Sequence, residues 1–193
     1  FVYGTLMTGQ CADNRLEGRD GNDKLFGAGG ADSLFGGNGG DLLYGGAGGD
    51  LLDGGIGRDR ASYRDSASGV VADLELPARN TGDAAGDVYV GIEDLEGTGL
   101  HDTLGGDAQA NALYGLDGND RIEGRLGSDS LYGGEGDDTL SGGEGADRID
   151  GGSGFDIASF ETATTALRID LLNPALATGE AFDPAVEIGM VCR

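Results

Sequence analysis

Apolar residues recur along most of this chain at an interval of nine, which is neither the 3.6-residue period of a helix nor the alternation of a long strand. Leu25, Leu34, Leu43, Leu52 and Ala61 form one series. Leu104, Leu113, Ile122, Leu131, Leu140, Ile149 and Ala158 form a second. Two positions ahead of these stand Asp23, Asp32, Asp41, Asp50 and Asp59, then Asp102, Asn111, Asp120, Asp129, Asp138, Asp147 and Asp156. Glycine lies two positions further back in most copies, and Asn14 with Leu16 is a degenerate first copy. Three residue types held in phase over so many copies mark a structural repeat.

In Gly36-Gly37-Asn38-Gly39-Gly40-Asp41-Leu42-Leu43-Tyr44, the first six residues predict a glycine-rich turn and the last three a very short strand. The middle residue of the strand points inward and its neighbours outward. A unit this small cannot bury its apolar side alone, but stacked copies can, so the pattern predicts an all-β solenoid. With two nonapeptides per coil, aspartates eighteen apart share an edge. One edge then carries Asp23, Asp41 and Asp59 and the other Asn14, Asp32 and Asp50; in the second block the edges are Asp102, Asp120, Asp138, Asp156 and Asn111, Asp129, Asp147.

A longer period contains the short one. Gly57 matches Gly154 at an offset of 97 residues, and Val70-Val71-Ala72-Asp73-Leu74 matches Leu167-Arg168-Ile169-Asp170-Leu171 at the same offset. This predicts a first nonapeptide block over 1–62, a spacer over 63–97, a second block over 98–159 and a second spacer, cut short, over 160–193. Within the first spacer, Val70 to Leu74, Val88 to Val90 and Ile92 to Leu95 read as strands between turn signals. The spacer is expected to cap one roll and lead into the next. Asp73, Asp87 and Asp94 read as solvated or turn-capping residues rather than metal ligands.

Composition sharpens the picture. Glycine supplies 41 of 193 residues and proline only 3, which excludes a collagen-like chain. Against 12 basic residues stand 35 acidic ones, for a formal charge of −23. That balance argues against a nucleic-acid partner and makes the compact state self-repelling unless cations neutralise it. Carboxylates stacked about 4.8 Å apart, the usual strand spacing, call for a cation between them. Calcium takes six to eight oxygens from carboxylates and carbonyls, whereas zinc would want cysteine or histidine and magnesium tolerates irregular cages poorly. The one histidine, His101, occupies a variable turn position, and Cys11 and Cys192 lie near opposite ends; the two cysteines do not make a disulfide scaffold.

Gly133-Gly134-Glu135-Gly136-Asp137-Asp138-Thr139-Leu140-Ser141 fits the pattern G-G-x-G-x-D-x-U-x at every fixed position, as do the copies starting at Gly36, Gly45 and Gly142. In this the chain resembles the RTX (repeats-in-toxin) family, whose repeat is a calcium-binding parallel β-helix unit. The resemblance implies a right-handed parallel β-roll, here two calcium-binding rolls separated by β-rich spacers, in a bacterial protein exported by type I secretion and folded outside the cell. It carries the family's calcium aspartate onto Asp23, Asp32, Asp41, Asp50, Asp59, Asp120, Asp129, Asp138, Asp147 and Asp156. Asp102 also matches, though Leu100 replaces its fourth-position glycine; Ala12 and Gln109 replace the same glycine before Asn14 and Asn111. Sites at those three turns are expected to be weak or absent. Arg19, Leu116 and Arg125 replace the second glycine, a softer departure.

The expected function is therefore a module that folds on binding several extracellular Ca²⁺ ions, as part of a longer secreted protein. Nothing catalytic is expected, since G-x-S-x-G, H-E-x-x-H and P-loop motifs are absent. No apolar run is long enough to span a membrane, and the opening Phe1-Val2-Tyr3-Gly4 carries neither an initiator methionine nor a signal-peptide pattern, so the chain reads as a fragment or processed segment. Two other readings stand beside this one. The chain is an accessory module of a secreted protease, lipase or epimerase, or it is an adhesive array whose Phe26, Phe35, Tyr44, Tyr114 and Tyr132 form an aromatic strip for a cell-surface glycan. The residues name neither a glycan nor a protein partner.

Overall fold

The computed structural model describes residues 6–159; the second spacer expected over 160–193, and Cys192 with it, lie outside the described residues. The strands of the first block are β1 Leu6–Thr8, β2 Arg15–Asp20, β3 Lys24–Gly29, β4 Ser33–Asn38, β5 Leu42–Ala47, β6 Leu51–Ile56 and β7 Arg60–Ser62. The spacer contributes β8 Val71–Asp73, β9 Val88–Val90 and β10 Asp94–Glu96, with single 3₁₀ turns at Pro77–Arg79 and Gly82–Ala84. The second block adds β11 Thr103–Gly105, β12 Ala112–Asp117, β13 Arg121–Gly127, β14 Ser130–Glu135, β15 Thr139–Gly145, β16 Arg148–Ser153 and β17 Ile157–Ser159. All ladders between these strands are parallel. They wind into an all-β solenoid of about nine turns.

The register is the one the nine-residue period predicts. Leu25 pairs Leu43, Leu34 pairs Leu52, Leu113 pairs Leu131 and Ile122 pairs Leu140, each eighteen residues apart. These side chains form one apolar column down the axis, at most 1% exposed, and burying each contributes about 1.5–3 kcal/mol. Inside each block the strands run six or seven residues rather than three; the three-residue strands lie at the block ends and in the spacer. In β4, Phe35 pairs Asp53, and the ladder continues through Gly37↔Gly55 and Asn38↔Ile56, so the first three residues of the next nonapeptide extend the strand. The turn proper shrinks to positions four to six. In turns that keep the fourth-position glycine, position two takes positive φ even where it is not glycine: Arg19, Ala28, Leu116 and Arg125 have φ of 84°, 79°, 83° and 80°.

One face of the solenoid is a single eight-stranded sheet, β1-β3-β5-β7-β10-β12-β14-β16, in which the spacer strand β10 pairs β7 on one side and β12 on the other. The opposite face is divided. A four-stranded sheet, β2-β4-β6-β9, ends at the spacer, and a five-stranded sheet begins there with β8 and continues through β11, β13, β15 and β17. The two blocks thus share one sheet through the spacer and separate on the other. Around this break the apolar column broadens to include Tyr63, Val70, Ala72, Ala84, Ile92 and Leu95, all buried. Among the described residues no helix is long and apolar enough to cross a membrane.

Candidate metal centre

Each nonapeptide turn ends in its sixth-position aspartate, whose carboxylate is folded back into the coil. Of the eleven expected ligands, nine are at most 4% exposed, namely Asp23, Asp32, Asp41, Asp50, Asp59, Asp102, Asp120, Asp129 and Asp138; Asp147 and Asp156, near the end of the described stack, are half-buried. The two carboxylate oxygens do different work. Oδ1 accepts a hydrogen bond from the backbone N–H of the residue eighteen earlier: Asp23 N–H donates to Asp41 (2.8 Å), Asp32 to Asp50 (2.8 Å), Asp41 to Asp59 (2.7 Å), Asp120 to Asp138 (2.8 Å) and Asp138 to Asp156 (3.0 Å). Successive carboxylates on a rim are therefore linked through a backbone amide.

Oδ2 is left over. In Asp32, Asp41, Asp50, Asp59, Asp120, Asp129 and Asp138 it is buried and has no hydrogen-bond partner, a costly state for a charged oxygen. It points to the first glycine of its own repeat. A Cβ at Gly36 would overlap Asp41 Oδ2 and the carbonyl of Gly54 in the next coil; Gly27, Gly115, Gly124 and Gly133 repeat the arrangement with Asp32, Asp120, Asp129 and Asp138. The absent side chain leaves a cradle in which a carboxylate oxygen and a backbone carbonyl from neighbouring coils converge.

Burial in this setting pushes the carboxyls up in the metal-free chain. Desolvation raises Asp50, Asp59 and Asp129 to about 6 and Asp120 to about 7, against partial relief from the N–H bonds they accept. Asp41, Asp138 and Asp156 are raised for the same first reason. Among the described residues no three His, Cys, Asp or Glu side chains converge on one point, so a cation held here must draw on carbonyls as well as carboxylates. That donor set, all oxygen and irregular, fits calcium; the residues that would hold it are the orphaned aspartates together with the glycine-turn carbonyls.

The three turns without a fourth-position glycine are built otherwise. Ala12, Leu100 and Gln109 are absent from the residues with positive φ. In each of these turns a backbone N–H four residues earlier donates to the sixth-position side chain: Gln10 to Asn14 Oδ1 (2.5 Å), Thr98 to Asp102 Oδ2 (2.6 Å) and Asp107 to Asn111 Oδ1 (2.9 Å). Asp102 also accepts from Val70 N–H and Thr98 Oγ1, so its carboxylate is satisfied within the protein, unlike its counterparts.

Asp73, Asp87 and Asp94, expected from the residues to be solvated or turn-capping, are 8%, 2% and 5% exposed and paired. Asp94 receives Arg58 at 2.7 and 3.0 Å. Asp73 does cap a turn, accepting Leu76 N–H, and also binds Arg125; burial alone would raise it, but Arg125 and the turn amide hold it below its ordinary value. Asp87 and Glu93 continue the rims into the spacer, accepting the backbone N–H of Asp50 and Asp59 at 2.9 Å. Their spacings, 37 and 34 residues rather than eighteen, hid them from a search at fixed period. The fifth position was also missed. Asn22, Asn119 and Asp137 accept a backbone N–H from the next coil, and His101 Nδ1 does the same from Asn119 N–H (2.6 Å). Polar residues at that position were the available signal.

The aromatic strip resolves into separate pairs. Phe26 stacks on Tyr44 with ring centroids 4.2 Å apart, and Tyr114 on Tyr132 at 4.8 Å. Their strands belong to the eight-stranded sheet, whereas Phe35 is in the four-stranded sheet opposite, with Arg15 over its ring. Within each pair the rings turn a face to each other.

A search of curated proteins finds no match. A sequence-family model described as the RTX calcium-binding nonapeptide repeat matches in four copies, at residues 12–43, 28–61, 96–131 and 123–158. These copies span more than half of the chain, and they fall on the same turns whose aspartates line the two rims. With sequence pattern, solenoid register and cradle in agreement, the chain belongs to the family of RTX calcium-binding nonapeptide repeat proteins.

Proposed function

We propose that this chain is a calcium-dependent folding module of a longer secreted protein, ordered where calcium is plentiful outside the cell and open where it is scarce. The observation that carries this reading is the row of buried Oδ2 atoms without a partner at Asp32, Asp41, Asp50, Asp59, Asp120, Asp129 and Asp138. Without metal each is a buried charge with one oxygen unsatisfied, in a chain carrying a net charge of −23 and bearing the entropy cost of ordering many glycines. Bound calcium supplies positive charge and open coordination to those oxygens. Because the site exists only in the folded chain, binding energy becomes folding energy. Each site adds roughly 1.4 kcal/mol at tenfold excess of calcium over its Kd, and extracellular calcium modules in general bind at about 10⁻⁴–10⁻³ M.

Of the expected ligands, Asp102 stands apart, its carboxylate already satisfied by Thr98 and Val70; the reading assigns no calcium to that turn. Far-ultraviolet circular dichroism across a calcium titration tests the proposal. Strand signal should rise cooperatively with calcium and collapse on adding chelator, and a spectrum indifferent to both would overturn it.

A further inference from the structure

In the spacer and at its junction with the second block, both carboxylate oxygens of Asp73, Asp87, Asp94, Glu96 and Asp102 have protein partners, whereas the orphaned aspartates of the regular nonapeptide turns, Asp59 among them, keep Oδ2 bare. Asp87 sits on the rim as the next aspartate after Asp50, yet its Oδ2 accepts the hydroxyl of Tyr63 at 2.7 Å. Tyr63 and Tyr89 share a hydrogen bond (2.5 Å), Asn80 Nδ2 donates to Tyr89 (2.9 Å), Asn80 Oδ1 accepts Asp73 N–H (2.9 Å), and Asp73 pairs with Arg125 of β13 (2.6 Å). This polar chain runs from the rim of the first block to a strand of the second. On the shared sheet, Asp94 holds Arg58 and accepts Ala112 N–H, while Glu96 accepts Ser62 Oγ (2.7 Å) and pairs with Arg64 (3.3 Å). Arginines and hydroxyls here supply what a cation would supply in the turns.

Packing points the same way. A regular half-coil buries one leucine, whereas the spacer region buries Tyr63, Val70, Ala72, Ala84, Ile92 and Leu95 together. Its strands also present pairing edges to both blocks: β9 to β6, β10 to β7 and β12, and β8 to β11. Parallel pairing between distant segments is slow to start because loop closure precedes any reward; a preformed edge removes that cost for each coil added.

We propose that residues 60–102, with Arg58 and Arg125, form a joint less dependent on calcium than the nonapeptide turns, which closes first and templates both nonapeptide blocks; these then zip outward as calcium fills their turns. The proposal rests on the calcium reading above and adds an order to it. Hydrogen exchange read by mass spectrometry on the full chain, at a series of calcium concentrations, tests both. Peptides covering 70–74 and 87–96 should gain protection at a calcium concentration at least about threefold below that needed by peptides covering 33–43 and 130–140. Block peptides protected at the same or lower calcium overturn the joint while leaving the calcium reading intact; protection indifferent to calcium throughout overturns the calcium reading, and the joint with it. Tyr63→Phe, which removes the donor to Asp87 Oδ2, should bring the spacer's midpoint up to that of the blocks, with Tyr114→Phe on the outer face as the unchanged control. A spacer that still orders first in Tyr63→Phe shows that the polar chain does not set the order.

Discussion

At the scale of single residues the repeat assigns sharply different duties to neighbours that look alike. The first glycine leaves the cradle beside the aspartate, so Gly36→Ala, whose Cβ would overlap Asp41 Oδ2 and the Gly54 carbonyl, is expected to abolish calcium-induced folding of its coil, measured as a lost step in the calcium titration. The second glycine supplies backbone freedom and, at Gly37, Gly46, Gly134 and Gly143, room against a carbonyl of the preceding coil that a Cβ would overlap. Leu116 holds φ at 83°, so Leu116→Gly relieves about 1–2 kcal/mol of left-handed strain against about 0.5–1 kcal/mol of added chain entropy. The expected net is a small gain, read as a slightly higher Tm in saturating calcium. Asp41→Asn should lower the number of ions bound, counted by equilibrium dialysis, whereas Asp102→Asn should leave that number unchanged because Thr98 already closes that turn.

At the scale of the element, each strand is an apolar plug with two outward flanks. Leu43 is fully buried while Leu42 is half-buried on the outer face. Leu43→Ala should therefore cost about 2–5 kcal/mol, and Leu42→Ala much less; denaturant unfolding in excess calcium compares them. The inward leucines and their spacing of nine were plain from the residues. The true strand length was not, because the first positions of the next nonapeptide are glycines and turn-formers by propensity, and join the ladder only when a neighbouring coil offers a partner. The same limit applies to Asp87 and Glu93. As rim members they are defined by the amide each accepts from, and nothing in the local residues of the spacer shows that it returns to the rim.

For the whole molecule, the buried carboxyls make folding, protons and calcium one linked equilibrium. In the metal-free chain Asp50, Asp59 and Asp129 titrate at about 6 and Asp87 and Asp120 at about 7, raised mainly by burial. Between the ordinary carboxyl range and those values the folded state holds more protons than the unfolded one, so metal-free stability falls as pH rises from about 4 to about 7. Calcium competes with those protons, so its apparent affinity should rise over the same interval. Calcium titrations at pH 5 and pH 7.5 should place the tighter midpoint at pH 7.5, and the strand signal that survives in chelator should be the larger at pH 5.

The residues alone determined the repeat, the all-β solenoid, the eighteen-residue coil and the aspartates on its rims, because period and turn chemistry are local properties that survive without coordinates. Only the tertiary structure decided how the rims connect. One continues through Glu93, which accepts Asp59 N–H and whose carbonyl accepts Asn111 Nδ2, and the other stops at Asp87 and restarts at Val70 and Asp102. It also decided which carboxylates find protein donors and which are left bare. Several of those outcomes depend on groups brought together off the eighteen-residue period, across as many as 52 residues, where chain closure, not sequence periodicity, chooses the partner.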